Sequence, residues 1–304
     1  MRITDERRLS WAWSWLTALV ASFQFLTTIP LPFNLQFTDR VFRRSVVFYP
    51  LVGGVIGGVI WLAVQLITPW FPLYPTAVVM LCIWVWLTGA LHLDGLMDTA
   101  DGILSYRPRA KMLEIMKDSR VGAMGVIVVV LYLLLKLSLI VSLMDDGLNA
   151  KTGALLFCIP IWSRWFMSVS IAGWPYAREF AKDKASAVKV SVESVESVES
   201  DSTEKTAVSS NPTGLGASYR GVRLRHVMAG TVVALVLTMG ILLGNGFGSA
   251  SMIYWVGFPF FTGLIGCLIA QYFHSKLGGL TGDTYGALNE LLEVVLLLIV
   301  VVMM

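Results

Sequence analysis

Long apolar runs separated by short polar segments dominate the chain. A helix needs about 20 mostly apolar residues to cross a bilayer. Runs of about this length lie at 46–67, 76–93, 122–144, 152–173, 227–245, 252–274 and 287–304. We therefore predict an all-α, polytopic membrane bundle with about seven spanning helices. A further apolar stretch at 11–29 ends before Pro30 and Pro32, which stop a helix, and it either spans, re-enters or lies in the interface.

Basic residues mark alternate connections between these runs. Lys and Arg are frequent at 40–45, 94–120 and 174–226, whereas 68–75 and 246–251 have none and 145–151 has only Lys151. The positive-inside rule places basic connections in the cytoplasm. We therefore expect 94–120 and 275–286 to face the same, cytoplasmic side.

Composition agrees with a membrane protein and argues against nucleic-acid binding. Of the 304 residues, 56% are hydrophobic and 14% are charged, whereas a soluble domain is about a quarter charged. The net charge is +3, and we see no basic stripe of the kind that binds nucleic acid. Membrane lipid is therefore an expected partner and nucleic acid is not.

One segment differs from the rest of the chain. Residues 182–216 are polar and of low complexity, and they include the repeat SVESVESVES at 191–200. Such a composition buries too little apolar surface to offset the entropy lost on ordering. We expect a flexible cytoplasmic loop within a single transmembrane catalytic domain that covers 1–304.

The first chemistry-bearing motif is LHLDGLMDTADG at 91–102. Its carboxylates Asp94, Asp98 and Asp101 are spaced i, i+4 and i+7, which places them on one face of a continuous helix. Crowded acids at a membrane edge repel each other and gain by holding a cation. Mg²⁺ prefers oxygen ligands and commonly bridges carboxylates to substrate phosphates, so we predict a Mg²⁺ site here; ordinary surface acids are the simpler alternative. His92 adjoins the cluster as a candidate substrate-binding residue.

Two further motifs complete the candidate site. In KDSRVGAMG at 117–125, Lys117 and Arg120 could hold phosphate oxygens or simply anchor the helix at the membrane surface. In GGLTGDTYGALNE at 278–290, Asp283 and Glu290 are seven residues apart, and the glycines suggest a tight turn or a phosphate cradle. Glu293 lies inside an apolar run, so we expect it to face a polar cavity or pair with a basic residue.

Together with FLTTIPLP at 25–32, these motifs resemble the cobalamin synthase family, the adenosylcobinamide-GDP ribazoletransferases. The similarity extends over essentially the whole chain in order, and 182–216 looks like an insertion. The residues on the family's motif positions are His92, Asp94, Asp98, Asp101, Lys117, Asp118, Arg120, Asp283, Asn289 and Glu290.

The resemblance implies an enzyme of the bacterial cytoplasmic (inner) membrane. It would join adenosylcobinamide-GDP to α-ribazole or its 5′-phosphate and release GMP. In that scheme Asp94, Asp98, Asp101 and Asp283 would hold Mg²⁺, and these acids with Glu290 would be catalytic. His92, Lys117, Asp118, Arg120 and Asn289 would bind substrate. The sequence assigns neither the carboxylate that acts as general base, nor a homo-oligomer, nor association with other corrinoid-pathway enzymes.

Two other classes of protein share some of these features. CDP-alcohol phosphotransferases also carry spaced aspartates at a helix edge, but their pattern has DG-x₂-AR where this chain has DTADG. A cation transporter would use intramembrane acids as an ion path, and transporters commonly show internal repeats. We see no clear repeat here, so the transferase is the favoured interpretation.

Overall fold

Helices form the regular structure of the residues that the computed structural model describes, which are 2–33, 35, 37–145, 147, 149–177 and 221–303, with side chains from residue 12 onward. One isolated bridge between Tyr176 and Leu280 is the exception within these ranges. The predicted polar loop at 182–216 and its repeat at 191–200 lie outside the described residues. The helices are α1 Arg2–Leu26, α2 Asp39–Ser45, α3 Tyr49–Ile67, α4 Leu73–Leu87, α5 Leu91–Ile103, α6 Arg109–Ile115, α7 Ala123–Asp145, α8 Ala150–Gly173, α9 Leu224–Gly244, α10 Ser251–Leu277 and α11 Gly282–Met303.

The predicted polytopic membrane bundle is confirmed. Among the described residues, six helical segments are long and apolar enough to cross a membrane: Asp39–Ile67, Ala123–Asp145, Ala150–Gly173, Leu224–Gly244, Gly248–Leu277 and Gly282–Met303. Helices α4 and α5 pass the same test only as a pair, which makes up to seven spans. The apolar part of α1, Ala12–Leu26, is shorter than these segments.

The predicted span 76–93 is not one straight helix. Helix α4 ends at Leu87, and α5 begins at Leu91 with its axis bent by 86° from that of α4. Gly89 and Ala90 take left-handed φ values of 61° and 55°, which interrupt the helical backbone. Thr28, from the FLTTIPLP motif, donates its backbone N–H to Leu87 O at 2.9 Å and so satisfies a carbonyl that the break leaves open. The bend therefore redirects the acidic helix α5 away from the axis of α4.

Helix α8 lies at the centre of the bundle. Of the 18 most apolar consecutive residues of α8, 78% are buried, whereas in the corresponding stretch that includes α10 the buried share is 17%. Helix α3 approaches α8 through glycines, and a Cβ on Gly57 would lie 2.8 Å from Phe157 Cα. Small residues that let two backbones meet are a common basis of helix association in membranes. Helix α11 packs against α5, α7 and α8, and these four helices carry most of the candidate site.

Candidate functional site

The acidic motif forms one continuous helix, as predicted. Asp94, Asp98 and Asp101 all lie on α5. Asp94 is exposed, whereas Asp98 and Asp101 are half-buried. The three carboxylates therefore follow the helix from an open position to one that is partly enclosed by neighbouring elements.

Two glycines bring α5 and α11 into close contact. A Cβ on Gly95 would lie 2.6 Å from the carbonyl oxygen of Asp283, and a Cβ on Gly286 would lie 3.1 Å from Cα of His92. Any larger residue at these positions would push the helices apart. We call this contact, formed by His92, Gly95, Asp283 and Gly286, the α5–α11 seam. It places Asp283 beside the helical turn that carries Asp94 and Asp98.

The start of α11 is fixed by two threonines. The backbone N–H of Thr281 donates to Thr284 Oγ1 at 2.7 Å, and the backbone N–H of Thr284 donates to Thr281 Oγ1 at 3.2 Å. This reciprocal arrangement is a capping box, which satisfies backbone donors that lack partners at a helix start. Thr281 Oγ1 also lies 3.3 Å from Asp283 Oδ2, within hydrogen-bonding distance, so the same turn helps to orient the Asp283 carboxylate.

Asp101 has partners of its own at the start of α7. One carboxylate oxygen accepts the backbone N–H of Gly122 at 2.8 Å, and the other accepts that of Gly125 at 2.7 Å. A negative charge at a helix N-terminus is favourable because it pairs with free amides and the helix dipole. Asp101 thus joins the acidic motif to the KDSRVGAMG motif. Its predicted role as a Mg²⁺ ligand stays a prediction, but its present contacts are those of a helix cap.

We expect Asp101→Asn to lower the stability of the folded protein by about 1 kcal/mol, because asparagine carries no charge and replaces one of the two accepting oxygens by an NH₂ group, which cannot accept a backbone N–H. Thermal unfolding in detergent measures this effect. The Mg²⁺ concentration at half-maximal activity should stay close to that of the parent. A large increase in that concentration would show that Asp101 binds the metal.

The charged residues of the KDSRVGAMG motif lie at the surface. Lys117 is exposed, and the Arg120 side chain is 88% exposed. Arg120 donates to both carboxylate oxygens of Asp118, from Nε to Oδ1 at 3.0 Å and from Nη2 to Oδ2 at 2.6 Å. These side-chain hydrogen bonds, with a further one from the Arg120 backbone, lower the pKa of Asp118 to about 2. The described contacts therefore pair Arg120 with Asp118, and a separate contact holds Gly122, at the end of this loop, against Asp101.

Glu290 and Glu293 enter a buried network of opposite charges, which we call the buried ion network. Glu290 pairs with Lys136 at 3.2 Å and accepts a hydrogen bond from Tyr132, and Glu293 pairs with Lys136 at 2.5 Å and with Arg164. All four ionic side chains are at most 6% exposed. The expectation that Glu293 pairs with a basic residue is confirmed.

Sequence reasoning missed the cations of this network. Lys136 lies in the apolar run of α7 and Arg164 in that of α8. The signal available was that each is a lone basic residue inside a predicted span, where an ionic group needs a partner. Lys136 Nζ also lies 4.2 Å from the ring centroid of Trp84, so α4 takes part in enclosing it.

Next to the network are polar atoms that make no hydrogen bond within the described part of the chain. They are both ring nitrogens of His92, Oδ1 of Asn289, and Nε and Nη2 of Arg164. These residues are at most 2% exposed, and buried polar groups in folded proteins are usually paired. Asn289 Nδ2 does reach Glu293 Oε1 at 3.5 Å. The polar interior therefore continues from the α5–α11 seam toward the buried ion network.

The glycines of the third motif serve the turn and close packing. Gly278 has a left-handed φ of 67° and ends α10 by donating its N–H to His274 O at 2.7 Å. A Cβ on Gly279 would lie 2.6 Å from Ala177 N, at the bridge between Tyr176 and Leu280. Of the two sequence alternatives, these contacts favour a tight turn.

The carboxylates do not form a preassembled metal cage. Within the described residues, no three His, Cys, Asp or Glu side chains converge closely enough to hold a metal ion. Asp101 is directed to α7, and Glu290 is held in the buried ion network. Mg²⁺ usually needs only one or two protein carboxylates plus substrate phosphates. Asp98 with one further acid, Asp94 on the same helix or Asp283 across the seam, fits such a substrate-completed site.

The order of the motifs along the chain is that of a known protein family. A sequence model described as cobalamin-5-phosphate synthase matches residues 18–198 and 204–301. The chain belongs to this family. The match omits only 199–203 from the polar segment 182–216, so the family pattern extends over much of the stretch that the sequence suggested was an insertion.

Relatives that resemble the chain over nearly their whole length carry one name. The adenosylcobinamide-GDP ribazoletransferase of Desulfitobacterium hafniense is 37% identical over 90% of this chain and 92% of its own. The protein of the same name from Brevibacillus brevis is 33% identical over 94% and 98%. That of Acinetobacter baumannii is 32% identical over 94% and 98%. No solved structure matches this chain.

Proposed function

We propose that this protein is an adenosylcobinamide-GDP ribazoletransferase of cobalamin synthesis. It would join adenosylcobinamide-GDP to α-ribazole or its 5′-phosphate, giving adenosylcobalamin or its 5′-phosphate and GMP. Membership of the cobalamin-5-phosphate synthase family over nearly the whole chain is the observation that carries this proposal. The α5–α11 seam supports it by gathering acids from two separate motifs at one end of the bundle.

The reaction is a phosphoryl-group transfer. A ribose hydroxyl of the ribazole attacks the phosphorus attached to cobinamide, a new P–O bond forms, and the bond to the bridging oxygen breaks with its electron pair leaving on GMP. The hydroxyl loses its proton. Such transfers need positioning and charge neutralisation more than covalent help from the protein. The residues at the seam are suited to both tasks.

We propose that Asp98, with either Asp94 or Asp283, holds Mg²⁺ together with the diphosphate of the substrate. When bound, the ion neutralises charge on the diphosphate and on the departing GMP. Lys117 is exposed in the loop that follows α6, and we propose that it adds a cation for phosphate oxygens. Arg120 could do the same after exchanging its Asp118 partner for substrate, since its guanidinium is open to solvent.

The structure also bears on which carboxylate accepts the hydroxyl proton. Glu290 is 5% exposed and already accepts from Tyr132 and Lys136. Protonation of Glu290 would leave the two buried cations Lys136 and Arg164 with Glu293 as the one charged carboxylate of the network, which is costly. We therefore propose that the one of Asp94 and Asp283 that does not bind the ion accepts the proton, with Glu290 and Asn289 supporting the seam from behind.

Contacts among the loops that connect the helices support a site at one end of the bundle. Arg109 Nη2 donates to Ala177 O at 3.3 Å, the Tyr176–Leu280 bridge joins the ends of α8 and α10, and Asp101 binds the start of α7. These connections thus meet at one end of the bundle. We propose that this end faces the cytoplasm and that the protein lies in the bacterial inner membrane, because the basic connections share this end.

This orientation is tested by cysteine labelling in a background without Cys82, Cys158 and Cys267. Arg107→Cys, on an exposed position near the acidic helix, should resist a membrane-impermeant thiol reagent in intact spheroplasts and react after permeabilisation. Tyr74→Cys, at the opposite end of α4 and 69% exposed in the parent, should react in both. Labelling of Arg107→Cys in intact spheroplasts would contradict a cytoplasmic site.

The proposed activity is tested directly with purified protein. Incubation with adenosylcobinamide-GDP, α-ribazole and Mg²⁺ should yield a complete corrinoid and GMP in equal amounts, as separated by chromatography. Omission of Mg²⁺ should abolish both products. Release of GMP without corrinoid product would indicate hydrolysis, and absence of both products would contradict the proposal.

A further inference from the structure

The buried ion network is electrically balanced and lies well inside the bundle. It combines the cations Lys136 and Arg164 with the carboxylates Glu290 and Glu293 on α7, α8 and α11. Glu293 is ten residues beyond Asp283 on the same helix, which corresponds to ~15 Å along its axis. The network is therefore separate from the carboxylates at the seam that would face the diphosphate.

Such a network is an expensive way to hold helices together. Ionic groups at membrane depth are costly, and apolar replacements of a balanced buried pair are often neutral or stabilising. The same bundle joins α3 to α8 by glycine contacts without any charge. Packing alone therefore does not account for four ionic side chains on three helices.

The network is coupled to the seam through α11 and α5. Asn289 approaches Glu293 of the network, and the residue directly after Asn289 is Glu290, which also belongs to the network. His92 is buried, and its backbone contacts Gly286, which lies one helical turn before Glu290 on α11. The ions hold α11 in one rotation about its axis. That rotation sets the placement of Asp283 against α5.

We propose that Lys136, Arg164 and Glu293 are positioning residues for the transfer reaction. They fix α11 against α7 and α8 so that Asp283, Asn289 and Glu290 stand in register with His92 and the acidic helix. They touch neither the diphosphate nor the metal. This inference rests on the proposed transferase function.

The test separates charge balance from position. Arg164→Met and Glu293→Gln each leave the network with an unequal number of charges and should lower thermal stability. The double variant Arg164→Met/Glu293→Gln restores the balance, since the Lys136–Glu290 pair remains, and should recover most of that stability. Its kcat should nevertheless stay at least tenfold below that of the parent, with the KM for both substrates changed less than twofold.

A matched control uses an exposed pair. Lys111 and Glu114 on α6 lie 2.8 Å apart with side chains 54% and 68% exposed. The double variant Lys111→Met/Glu114→Gln removes one charge of each sign in the same way and should keep the kcat of the parent. This control shows whether a tenfold loss arises from the position of the buried pair and not from its charges as such.

Each outcome decides the inference. A stable Arg164→Met/Glu293→Gln variant with parental kcat would overturn it, as would a loss expressed in KM alone, which would mean substrate binding. Should the double variant fail to fold, Arg164→Lys retains the charge but shortens the side chain that reaches Glu293 through Nη1. A parental kcat there would also overturn the inference, and a loss of threefold or more would support it. An inactive parent would instead refute the transferase function, on which the inference rests.

Discussion

Replacement of Asp98 by asparagine is expected to reduce turnover by well over tenfold. The change keeps the shape of the side chain but removes a charge from the middle of the acidic helix, where Asp98 lies one turn from Asp94 and near Asp283 across the seam. A tenfold loss corresponds to about 1.4 kcal/mol of transition-state stabilisation. Steady-state kinetics at several Mg²⁺ concentrations measures it, and higher Mg²⁺ should recover part of the loss.

The control for this prediction is a second aspartate outside the proposed site. Asp145 is exposed at the far end of α7, and Asp145→Asn should show the turnover and Mg²⁺ dependence of the parent. If Asp98→Asn also behaved like the parent in both respects, the metal-site assignment would be wrong even if the protein proved to be a ribazoletransferase.

The bundle itself could be predicted from sequence because its main cause is local. Long apolar runs must be helical in a membrane, since no water is present there to satisfy the backbone. The i, i+4, i+7 spacing of Asp94, Asp98 and Asp101 is also a local property, and the three residues lie on one helix as it predicts. Each of these properties depends on neighbours along the chain.

Properties that depend on distant neighbours were not predictable in the same way. The apolar run at 76–93 gives no sign that Gly89 and Ala90 break it, because the break is completed by Thr28 from another part of the chain. Asp101 has the spacing of a cluster ligand, yet the start of α7 presents amides to it. Tertiary contacts create both the helix break and the cap, and the role of Asp101 as a Mg²⁺ ligand stays a prediction.

The buried ion network was partly visible in the sequence. Glu293 alone signalled a buried charge that needed a partner, and the partner type was predicted correctly. Lys136 and Arg164 could not be assigned to it, because their helices are separated from α11 by more than a hundred residues and no local pattern relates them. Pairing of charges between spans is a property of the folded bundle.

Loss of Lys136 should cause the largest loss of stability. Lys136→Met would leave Glu290 without its cation and Glu293 with Arg164 alone, and it would also remove the contact with Trp84. Breaking a buried pair by removing one partner typically costs 3–5 kcal/mol, since a buried charge remains uncompensated. We expect a destabilisation of about 3 kcal/mol or more in a reversible denaturation titration in mixed micelles.

Lys111→Met provides the matched comparison, because it removes the same kind of cation from an exposed pair with Glu114. Exposed pairs contribute only about 0–1 kcal/mol, so this variant should unfold almost as the parent does. The double variant Lys136→Met/Glu290→Gln should regain much of the stability lost by Lys136→Met, since it removes the unpaired charge. If Lys136→Met and Lys111→Met had equal, small effects on the free energy of unfolding, the buried ion network would not stabilise the bundle. If the double variant were no more stable than Lys136→Met, the packing around Lys136, and not its charge, would account for the loss.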